Sequence, residues 1–314
     1  MKVYNNFSDY KNDRVQSSAS KAIVTIGTFD GVHLGHQAIL KDMVNAAKEI
    51  DGETVVITFY PHPRQVLNID SPNLRFINTQ EEKLRLLESI GIDNVIVVNF
   101  TKEFSLISSE SFISDYIVKN IAPVKLVIGY DHHFGKNRMG DFNLLQDMKN
   151  KYNFELQRVK AQDVEDIAVS STKIRHALKQ GDVAHANALL GYQYSYLGKV
   201  VSGNKIGREI GYRTANLDVK KEYRLIETPG VYATYVDYED VSYKSMTYIG
   251  KKPTVNNDDV ENIEVHIFDF DQDLYDKDIK IRFVSRIRAE QRFDNLDALK
   301  KQLEIDEKKI REIL

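Results

Sequence analysis

The sequence predicts an α/β domain built on a parallel sheet, followed by a small antiparallel β-barrel with a C-terminal helix. Three observations lead to this prediction. Short apolar, β-branched runs alternate with helical patterns through the first half of the chain. From about residue 194, short alternating runs separated by turn residues take over, a texture typical of small antiparallel barrels or sandwiches. The last stretch, 295–314, returns to helical spacing of its leucines and isoleucines.

The first half is predicted to contain five strands, at 22–28, 53–59, 94–99, 124–129 and 154–160. Their nearly continuous apolar character is typical of strands buried on both faces of a sheet. Helical patterns separate them at 36–50, 79–90 and 109–120, and Thr79 with Glu82 forms a capping-box match at the second of these. This alternation favours a parallel sheet with helices on both sides.

The second half begins with a helical segment, 171–190, interrupted by Gly181 and Asp182. Predicted strands follow at 196–201, 230–236, 243–249, 262–270 and 279–285. The change of texture falls near 185–195. We therefore predict a first domain over residues 1–188 and a second over residues 189–314.

Composition narrows the classes of protein to consider. The chain has 314 residues, a net charge of −3, 42% hydrophobic residues and no cysteine. These values are typical of a two-domain globular protein, argue against a general nucleic-acid binder, and exclude disulfides and thiolate metal sites. We find neither an apolar signal core nor an apolar run long enough for a membrane helix. We therefore expect a cytoplasmic protein without nucleic-acid or membrane partners. The sequence leaves open whether the chain forms a weak homo-oligomer.

A turn with three glycines and two histidines, Gly27–His36, lies between the first predicted strand and the first predicted helix. Glycine lets the backbone approach a ligand, and free N–H groups at a helix N-terminus attract phosphate. His33 and His36 could aim at the same anion. The turn matches neither of the two common phosphate-binding motifs. A chance pair of surface histidines, or half of a metal site, is the alternative.

Three further segments carry similar chemistry. Phe59–Arg64 and Gly129–Lys136 each follow a strand, and Ser170–Arg175 opens a helix with hydroxyl and cationic side chains. Ligands of open α/β sheets bind at the carboxyl edge of the strands. Taken singly, each segment could be a rigid connector or an ordinary helix cap. Their expected convergence on one sheet edge favours a nucleotide site.

In the second half, a glycine-spaced loop, 198–208, precedes Thr214 and Asn216. Residues two apart on a strand face the same way, so these side chains could offer two oxygens to Mg²⁺. Glu264 begins an alternating stretch and could serve as a general base. Ordinary polar strand positions are the alternative in both cases.

The first-half motifs resemble those of the nucleotidyltransferase superfamily with its His-x-Gly-His signature. Four motifs together resemble the adenylyltransferase module of bacterial bifunctional riboflavin kinase/FAD synthetases: Gly-Thr-Phe-Asp-Gly-Val-His-Leu-Gly-His, Tyr-Pro-His-Pro-Arg, Gly-Tyr-Asp-x-x-Phe-Gly-Lys and Ser-Ser-Thr-x-Ile-Arg. The resemblance implies a Rossmann-like domain that transfers AMP from ATP to FMN, giving FAD and pyrophosphate. The residues it places at ATP are Thr28, His33, Gly35, His36, Ser171, Thr172 and Arg175, with the two histidines catalytic. The residues it places at the flavin are Pro61, Pro63, Asp131 and Phe134.

The second half resembles the riboflavin kinase module, a small β-barrel whose signature is Pro-Thr-Ala-Asn. The resemblance implies phosphorylation of riboflavin by ATP with Mg²⁺. It assigns Mg²⁺ to Thr214 and Asn216, the general base to Glu264, the flap over ATP to Gly203 and Gly207, and a place beside the flavin to Arg288. Riboflavin, FMN, FAD and ATP are the implied small-molecule partners.

Three departures from the family pattern bear on this interpretation. Arg213 stands where the signature has proline, Lys251-Lys252 stand where a Phe-Asn pair is typical, and His132-His133 replace a Phe-Arg pair. The last substitution could weaken binding of the FMN phosphate. The alternatives are an adenylyl- or cytidylyltransferase with another acceptor, an FMN adenylyltransferase with an impaired kinase domain, and a flavin-binding regulatory protein.

Overall fold

The chain divides into two units in a computed structural model that describes residues 1–16, 21–69, 74–130, 133–136, 139–160, 163–164, 167–203, 211–252 and 260–314. The first unit comprises residues 1–74 and 78–169, and the second comprises 75–77 and 170–314. The helical segment after residue 170 therefore packs with the second unit. The domain boundary at residues 188 and 189 stays a prediction.

The first unit is built on a six-stranded parallel sheet in the order β1-β4-β3-β2-β5-β6. Its strands are β1 (Lys2–Tyr4), β2 (Lys21–Ile26), β3 (Gly52–Tyr60), β4 (Asn94–Asn99), β5 (Lys125–Gly129) and β6 (Glu155–Val159). All five predicted strands are confirmed to within two residues at each end. A short antiparallel hairpin, β7 (Asp163–Val164) with β8 (Ile167–Ala168), follows the sheet.

Helices cover both faces of this sheet, as predicted. They are α1 (Phe7–Gln16), α2 (Leu34–Glu49), α3 (Pro63–Val66), α4 (Gln80–Ile90), α5 (Ser109–Ser111), a π-helical segment (Phe112–Val118), α6 (Lys119–Ile121) and α7 (Phe142–Tyr152). The capping box of Thr79 and Glu82 at α4 is confirmed. Successive residues of the inner strands alternate between two apolar cores: Val24 packs into one and Ile23 into the other.

The strand order places a topological switch point at β2. From β2 the chain proceeds to β3 and β4 on one side, and then crosses to β5 and β6 on the other. Open α/β sheets bind ligands outside the carboxyl ends of the strands at such a point. The loops after β2, β3 and β5 therefore share the edge where a ligand is expected.

The second unit combines two helices, a closed antiparallel barrel and a C-terminal helix. The helices are α8 (Ser171–Lys179) and α9 (Val183–Leu190), and the C-terminal helix is α10 (Leu296–Ile313). The barrel strands, in the closed order β10-β13-β12-β11-β14-β9, are β9 (Ser195–Val201), β10 (Ala215–Asp218), β11 (Gly230–Tyr238), β12 (Val241–Lys252), β13 (Val260–Ile267) and β14 (Asp278–Ala289). Because the barrel is closed, each of the six described strands is paired with a neighbour on both sides.

The C-terminal helix covers part of the outer face of the barrel. Ile310 is fully buried among Tyr212, Val231, Met246 and Phe268. The predicted C-terminal helix is thereby confirmed as part of the second unit's core. Within the described ranges, no helix is both long enough and apolar enough to cross a membrane.

Candidate active sites

The loop after β2 has an unusual backbone. Phe29, Gly31 and Val32 all have positive φ, at 50°, 87° and 34°. Glycine accepts this conformation readily, whereas a β-branched residue such as Val32 adopts it at a cost of about 1–3 kcal/mol. Phe29 and Val32 are buried, and the Val32 N–H donates to the Phe29 carbonyl at 3.2 Å. The surrounding packing therefore holds a strained loop at the switch point.

This loop delivers the two histidines to the start of α2. His33 is the N-cap residue, and its Nδ1 accepts a hydrogen bond from the His36 N–H at 3.4 Å. The two imidazole rings stack with centroids 3.7 Å apart and an angle of 17° between their planes. A Cβ on Gly35 would lie 3.3 Å from the His33 ring, so glycine at this position leaves room for the ring. The paired side chains thus sit at the positive end of a helix dipole.

His36 is held neutral by its surroundings. Its Nδ1 is buried without a hydrogen-bond partner among the described residues, and the edge of Phe29 packs against the ring at 5.1 Å. Burial lowers the pKa of His36 well below 6.5, and His33 and Lys83 lower it further. A buried polar atom without a partner is costly. The arrangement suits a ligand atom that would satisfy this nitrogen, such as a phosphate oxygen or hydroxyl.

The depressed pKa of His36 predicts acid sensitivity of the first unit. Because the folded state disfavours protonated His36, its contribution to stability is present above pH 6.5, the ordinary histidine value, and is lost as the pH falls below it. The free energy of unfolding should fall by up to about 1.4 kcal/mol per pH unit on this account. Thermal unfolding of the full chain between pH 7.5 and 5 checks this prediction. In His36→Gln, the unfolding of the first unit should depend less on pH. An unchanged slope in that variant would contradict it.

Lys83 lies beneath the same loop and was not identified from the sequence. Only 7% of it is exposed, and its Nζ donates to the Thr28 carbonyl at 3.2 Å and to the Thr58 Oγ1 at 3.1 Å. Burial lowers the pKa of Lys83 to about 8, against the opposing effect of Asp30. A sequence signal existed, because Lys83 shares the inward face of α4 with Leu87, four residues on.

The loops after β3 and β5 contain the residues predicted at the flavin. Pro61 and Pro63 are half-buried, and Pro63 starts α3 with the His62 Nδ1 accepting from the Arg64 N–H at 3.1 Å. Phe134 is 6% exposed and packs with Phe112 in an apolar core. Its ring therefore offers little surface to a ligand. Asp131 lies outside the described residues.

Ser171, Thr172 and Arg175, predicted at the ATP phosphates, lie in the first two turns of α8. Ser170 is the N-cap residue, and its hydroxyl accepts from the Lys173 N–H at 3.4 Å. Arg175 Nε donates to the Arg75 carbonyl at 3.0 Å. These residues belong to the second unit and the two histidines to the first. Their common action on one triphosphate stays a prediction.

Three residues predicted for phosphoryl transfer come together at β10 and β13 in the second unit. Asn216 is paired directly with Glu264 in the antiparallel register. The Glu264 carboxylate accepts hydrogen bonds from the Thr214 hydroxyl at 3.4 Å and from Asn262 Nδ2 at 2.6 Å. Thr214 is exposed and precedes β10, which begins at Ala215, whereas Asn216 is 8% exposed. Pairing of β10 with β13 brings Glu264 to Asn216, whereas Thr214 is near because it lies two residues before Asn216.

The donor set of this cluster fits Mg²⁺. It combines a hydroxyl, an amide and a carboxylate, and hard cations such as Mg²⁺ take oxygen ligands and keep several waters. A Cβ on Gly203 would overlap the Asn216 amide, so glycine lets the loop approach this side chain closely. Across the described part of the chain, no group of three or more His, Asp or Glu side chains could hold a metal by itself. Gly207 lies outside the described residues.

Arg213, which stands at the position of the signature proline, directs its side chain toward the Asp271 carboxylate. Its guanidinium forms an exposed ion pair with Asp271. Its carbonyl accepts a hydrogen bond from His266 Nδ1 at 2.7 Å, and the His266 ring packs against Tyr212 at 4.9 Å. Contacts of both its side chain and its backbone therefore hold Arg213 in place next to Thr214. The backbone of Lys251 and Lys252 continues β12, and their side chains lie outside the described part of the structure.

Arg288, predicted beside the flavin, is positioned by a buried carboxylate. Its Nε donates to Asp306 Oδ2 at 2.8 Å, and Asp306 is 2% exposed. Gln302 Nε2 donates to the other carboxylate oxygen at 2.9 Å, and the guanidinium lies 5.7 Å from the Phe293 ring centre. Asp306 was not identified from the sequence, because its pairing depends on how α10 packs against β14.

Removing this carboxylate should destabilise the second unit. Asp306→Ala leaves the Arg288 guanidinium partly buried and without its ion pair, which should lower the free energy of unfolding by about 3 kcal/mol. Urea unfolding of the full chain measures this. Asp297→Ala, at the exposed start of α10, is the matched control. Equal stability of the two variants would contradict the assignment.

The comparisons with known proteins agree with this geometry in both units. A family model of FAD synthetase matches residues 15–173, and one of riboflavin kinase matches residues 190–314. The bifunctional riboflavin kinase/FMN adenylyltransferase of Listeria monocytogenes is 36% identical over 292 residues, which cover 92% of this chain and 91% of the relative. The chain belongs to the bifunctional riboflavin kinase/FMN adenylyltransferase family.

One further relative and one solved structure show how far the similarity extends along the chain. The bifunctional riboflavin kinase/FMN adenylyltransferase of Escherichia coli K12 is 35% identical over 298 residues, covering 95% of this chain and 94% of the relative. A crystal structure described as a macrolide-efflux protein from Streptococcus pneumoniae is 32% identical, with a TM-score of 0.87, and covers 99% of this chain and 98% of that one. The predicted family and both predicted folds are thus confirmed.

Proposed function

We propose that this chain makes FAD from riboflavin in two steps. The second unit transfers the γ-phosphoryl group of ATP to the 5′-hydroxyl of riboflavin, giving FMN and ADP. The first unit then transfers AMP from a second ATP to the FMN phosphate, giving FAD and pyrophosphate. Matches over both halves of the chain support the pairing of activities. The stacked His33–His36 pair at the switch point is the observation that carries the adenylylation step.

Adenylylation requires no protein nucleophile. An oxygen of the FMN phosphate attacks the α-phosphorus of ATP, and the bond to pyrophosphate breaks. The protein contributes positioning and charge stabilisation. We assign hydrogen bonds to the phosphates and the departing pyrophosphate to His33 and His36, supported by the buried Nδ1 of His36 and the helix N-terminus.

The remaining ligand contacts of the adenylylation step rest on the family pattern. Thr28 in the loop after β2 and Gly35 in the first turn of α2 are proposed to border the phosphates. The Val169 carbonyl lies 3.8 Å from where a Cβ on Gly35 would stand. Ser171, Thr172 and Arg175 follow Val169 in the chain and are proposed to hold the triphosphate. Pro61, Pro63 and Asp131 are proposed at the flavin, with Phe134 supporting their loop from the core.

In the kinase unit, Glu264 is the proposed general base. Its carboxylate accepts the proton of the riboflavin 5′-hydroxyl as the oxygen attacks the γ-phosphorus. Thr214 and Asn216 would hold Mg²⁺, which neutralises developing phosphate charge when bound. The 2.6 Å hydrogen bond from Asn262 orients the carboxylate toward this cluster. Gly203 and Gly207 are proposed in the flap over ATP, and Arg288 beside the flavin.

Chromatography of the flavins formed by the purified full chain tests this function. Incubated with riboflavin, ATP and Mg²⁺, the chain should produce FMN and then FAD. FMN alone would restrict it to the kinase. FAD from supplied FMN, without any product from riboflavin, would refute the kinase activity. Supplied pantetheine phosphate or a polyol phosphate tests transfer of a nucleotide to another acceptor. A cytoplasmic location and the absence of nucleic-acid and membrane partners stay predictions.

A further inference from the structure

We propose that Lys83 is a positioning residue for adenylyl transfer, because its buried amino group fixes the loop that presents the two histidines. The inference deepens the proposed FMN adenylyltransferase function and rests on it. Lys83 lies in the first turn of α4, which the reciprocal hydrogen bonds between Thr79 and Glu82 fix in place. The lysine therefore projects from a rigid element into the base of the β2 loop.

Three hydrogen bonds connect α4, β3 and this loop in a closed triangle. Lys83 Nζ donates to the Thr28 carbonyl at 3.2 Å and to Thr58 Oγ1 at 3.1 Å, and Thr58 Oγ1 itself donates to the Thr28 carbonyl at 3.2 Å. Thr58 is fully buried in β3. The Thr28 carbonyl thus receives two donors immediately before the strained backbone of Phe29, Gly31 and Val32. Fixing this point resists relaxation of the loop and keeps His33 at the helix cap.

The charge of Lys83 acts on the same loop. The charged or titratable groups that face it are Asp30 in the loop and His36 at the start of α2, and His33 stacks on His36. Asp30 is itself buried and favours the ammonium form of Lys83. The cation in turn favours neutral His36. Burying an ammonium group costs stability, so a lysine is a poor choice for packing alone. A functional role accounts for it better.

The test compares activity with stability in the full chain. Lys83→Met removes the charge and both donors while keeping the length of the side chain. We expect kcat for conversion of FMN to FAD to fall about 10- to 100-fold, the size of effect that small misplacements of catalytic groups produce. The unfolding midpoint should change little, because the desolvation cost of the buried ammonium disappears together with its two hydrogen bonds and its attraction to Asp30. Riboflavin phosphorylation should be unchanged, since it belongs to the other unit.

Two further variants sharpen the comparison. Arg85→Met changes an exposed cation on the same helix, paired with Glu81 at 2.6 Å, and should leave both activities unchanged. Thr58→Val removes one donor to Thr28 without changing shape and should give a smaller loss of FAD formation than Lys83→Met.

In the wild type, FAD formation should also weaken as the pH rises through about 8 and Lys83 loses its proton. Lys83→Met should lack that alkaline decline.

The outcomes separate this role from the proposed function. Wild-type kcat in Lys83→Met would overturn the role of Lys83 and leave the adenylyltransferase assignment intact. A parallel fall of unfolding midpoint and both activities would reduce Lys83 to a structural residue. If the wild-type chain forms no FAD from FMN, the proposed activity itself is refuted, and the role of Lys83 with it.

Discussion

His36→Ala should nearly abolish conversion of FMN to FAD while leaving riboflavin phosphorylation intact. The substitution removes the buried nitrogen that is proposed to meet the ATP phosphates, together with the ring stacked on His33. Loss of one preorganised donor to developing charge costs about 100- to 1000-fold in kcat. The kinase cluster belongs to the other compact unit, so its chemistry does not require this ring. Flavin chromatography after incubation with riboflavin and ATP should therefore show FMN accumulating with little FAD.

A second histidine substitution controls for general damage to the chain. His185 lies on α9, outside both proposed sites, and His185→Ala should retain both activities. The unfolding midpoint of each variant shows whether the first unit remains folded. Equal loss of both activities in a folded His36→Ala protein would refute the separation of the two sites. Retention of FAD formation would remove His36 from the catalytic role.

Glu264→Gln should produce the reverse result. The amide keeps the shape of the carboxylate and can still contact Thr214 and Asn262, but it cannot accept the proton of the riboflavin hydroxyl. General bases contribute about 100- to 10 000-fold to rate, so riboflavin phosphorylation should fall by that order. Adenylylation of supplied FMN should be unchanged. Initial rates with riboflavin and with FMN, measured separately on the full chain, give the two values.

The matched control for this variant is Glu312→Gln, at an exposed position near the end of α10. It changes the same charge away from the barrel cluster, and both activities should persist. Kinase turnover at the wild-type rate in Glu264→Gln would remove Glu264 as the base. Loss of both activities in a folded protein would instead show that the two units depend on each other.

Together the two variants also separate the competing interpretations of the second unit. Arg213 suggested an impaired kinase because it replaces proline beside Thr214. Its guanidinium is paired with Asp271 and its carbonyl with His266, and the cluster of Thr214, Asn216 and Glu264 is assembled beside it. An active wild type whose phosphorylation depends on Glu264 would exclude the regulatory-protein alternative.

The arrangement of the first unit was largely predictable because its signals are local. Runs of six or seven residues identified the strands, and the alternation with helices identified a parallel sheet. The motif from Gly27 to His36 is continuous in sequence, so strand, turn and helix cap could be inferred together. The short strand β1 and helix α1 were missed. Among the α1 side chains that the structure describes, only Phe7 and Tyr10 are buried, so the apolar pattern of this helix is weak.

The sequence by itself therefore determined the two folds, the family and the position of the His33–His36 turn between β2 and α2. Only the tertiary structure decided which distant side chains complete the sites. Lys83 reaches Thr28 across 55 residues, Asn216 meets Glu264 through strand register, and Asp306 holds Arg288 through helix packing. It also placed Phe134 in the core. The physical reason is that periodicity records whether a residue is buried, whereas the partner it meets depends on how separate elements pack.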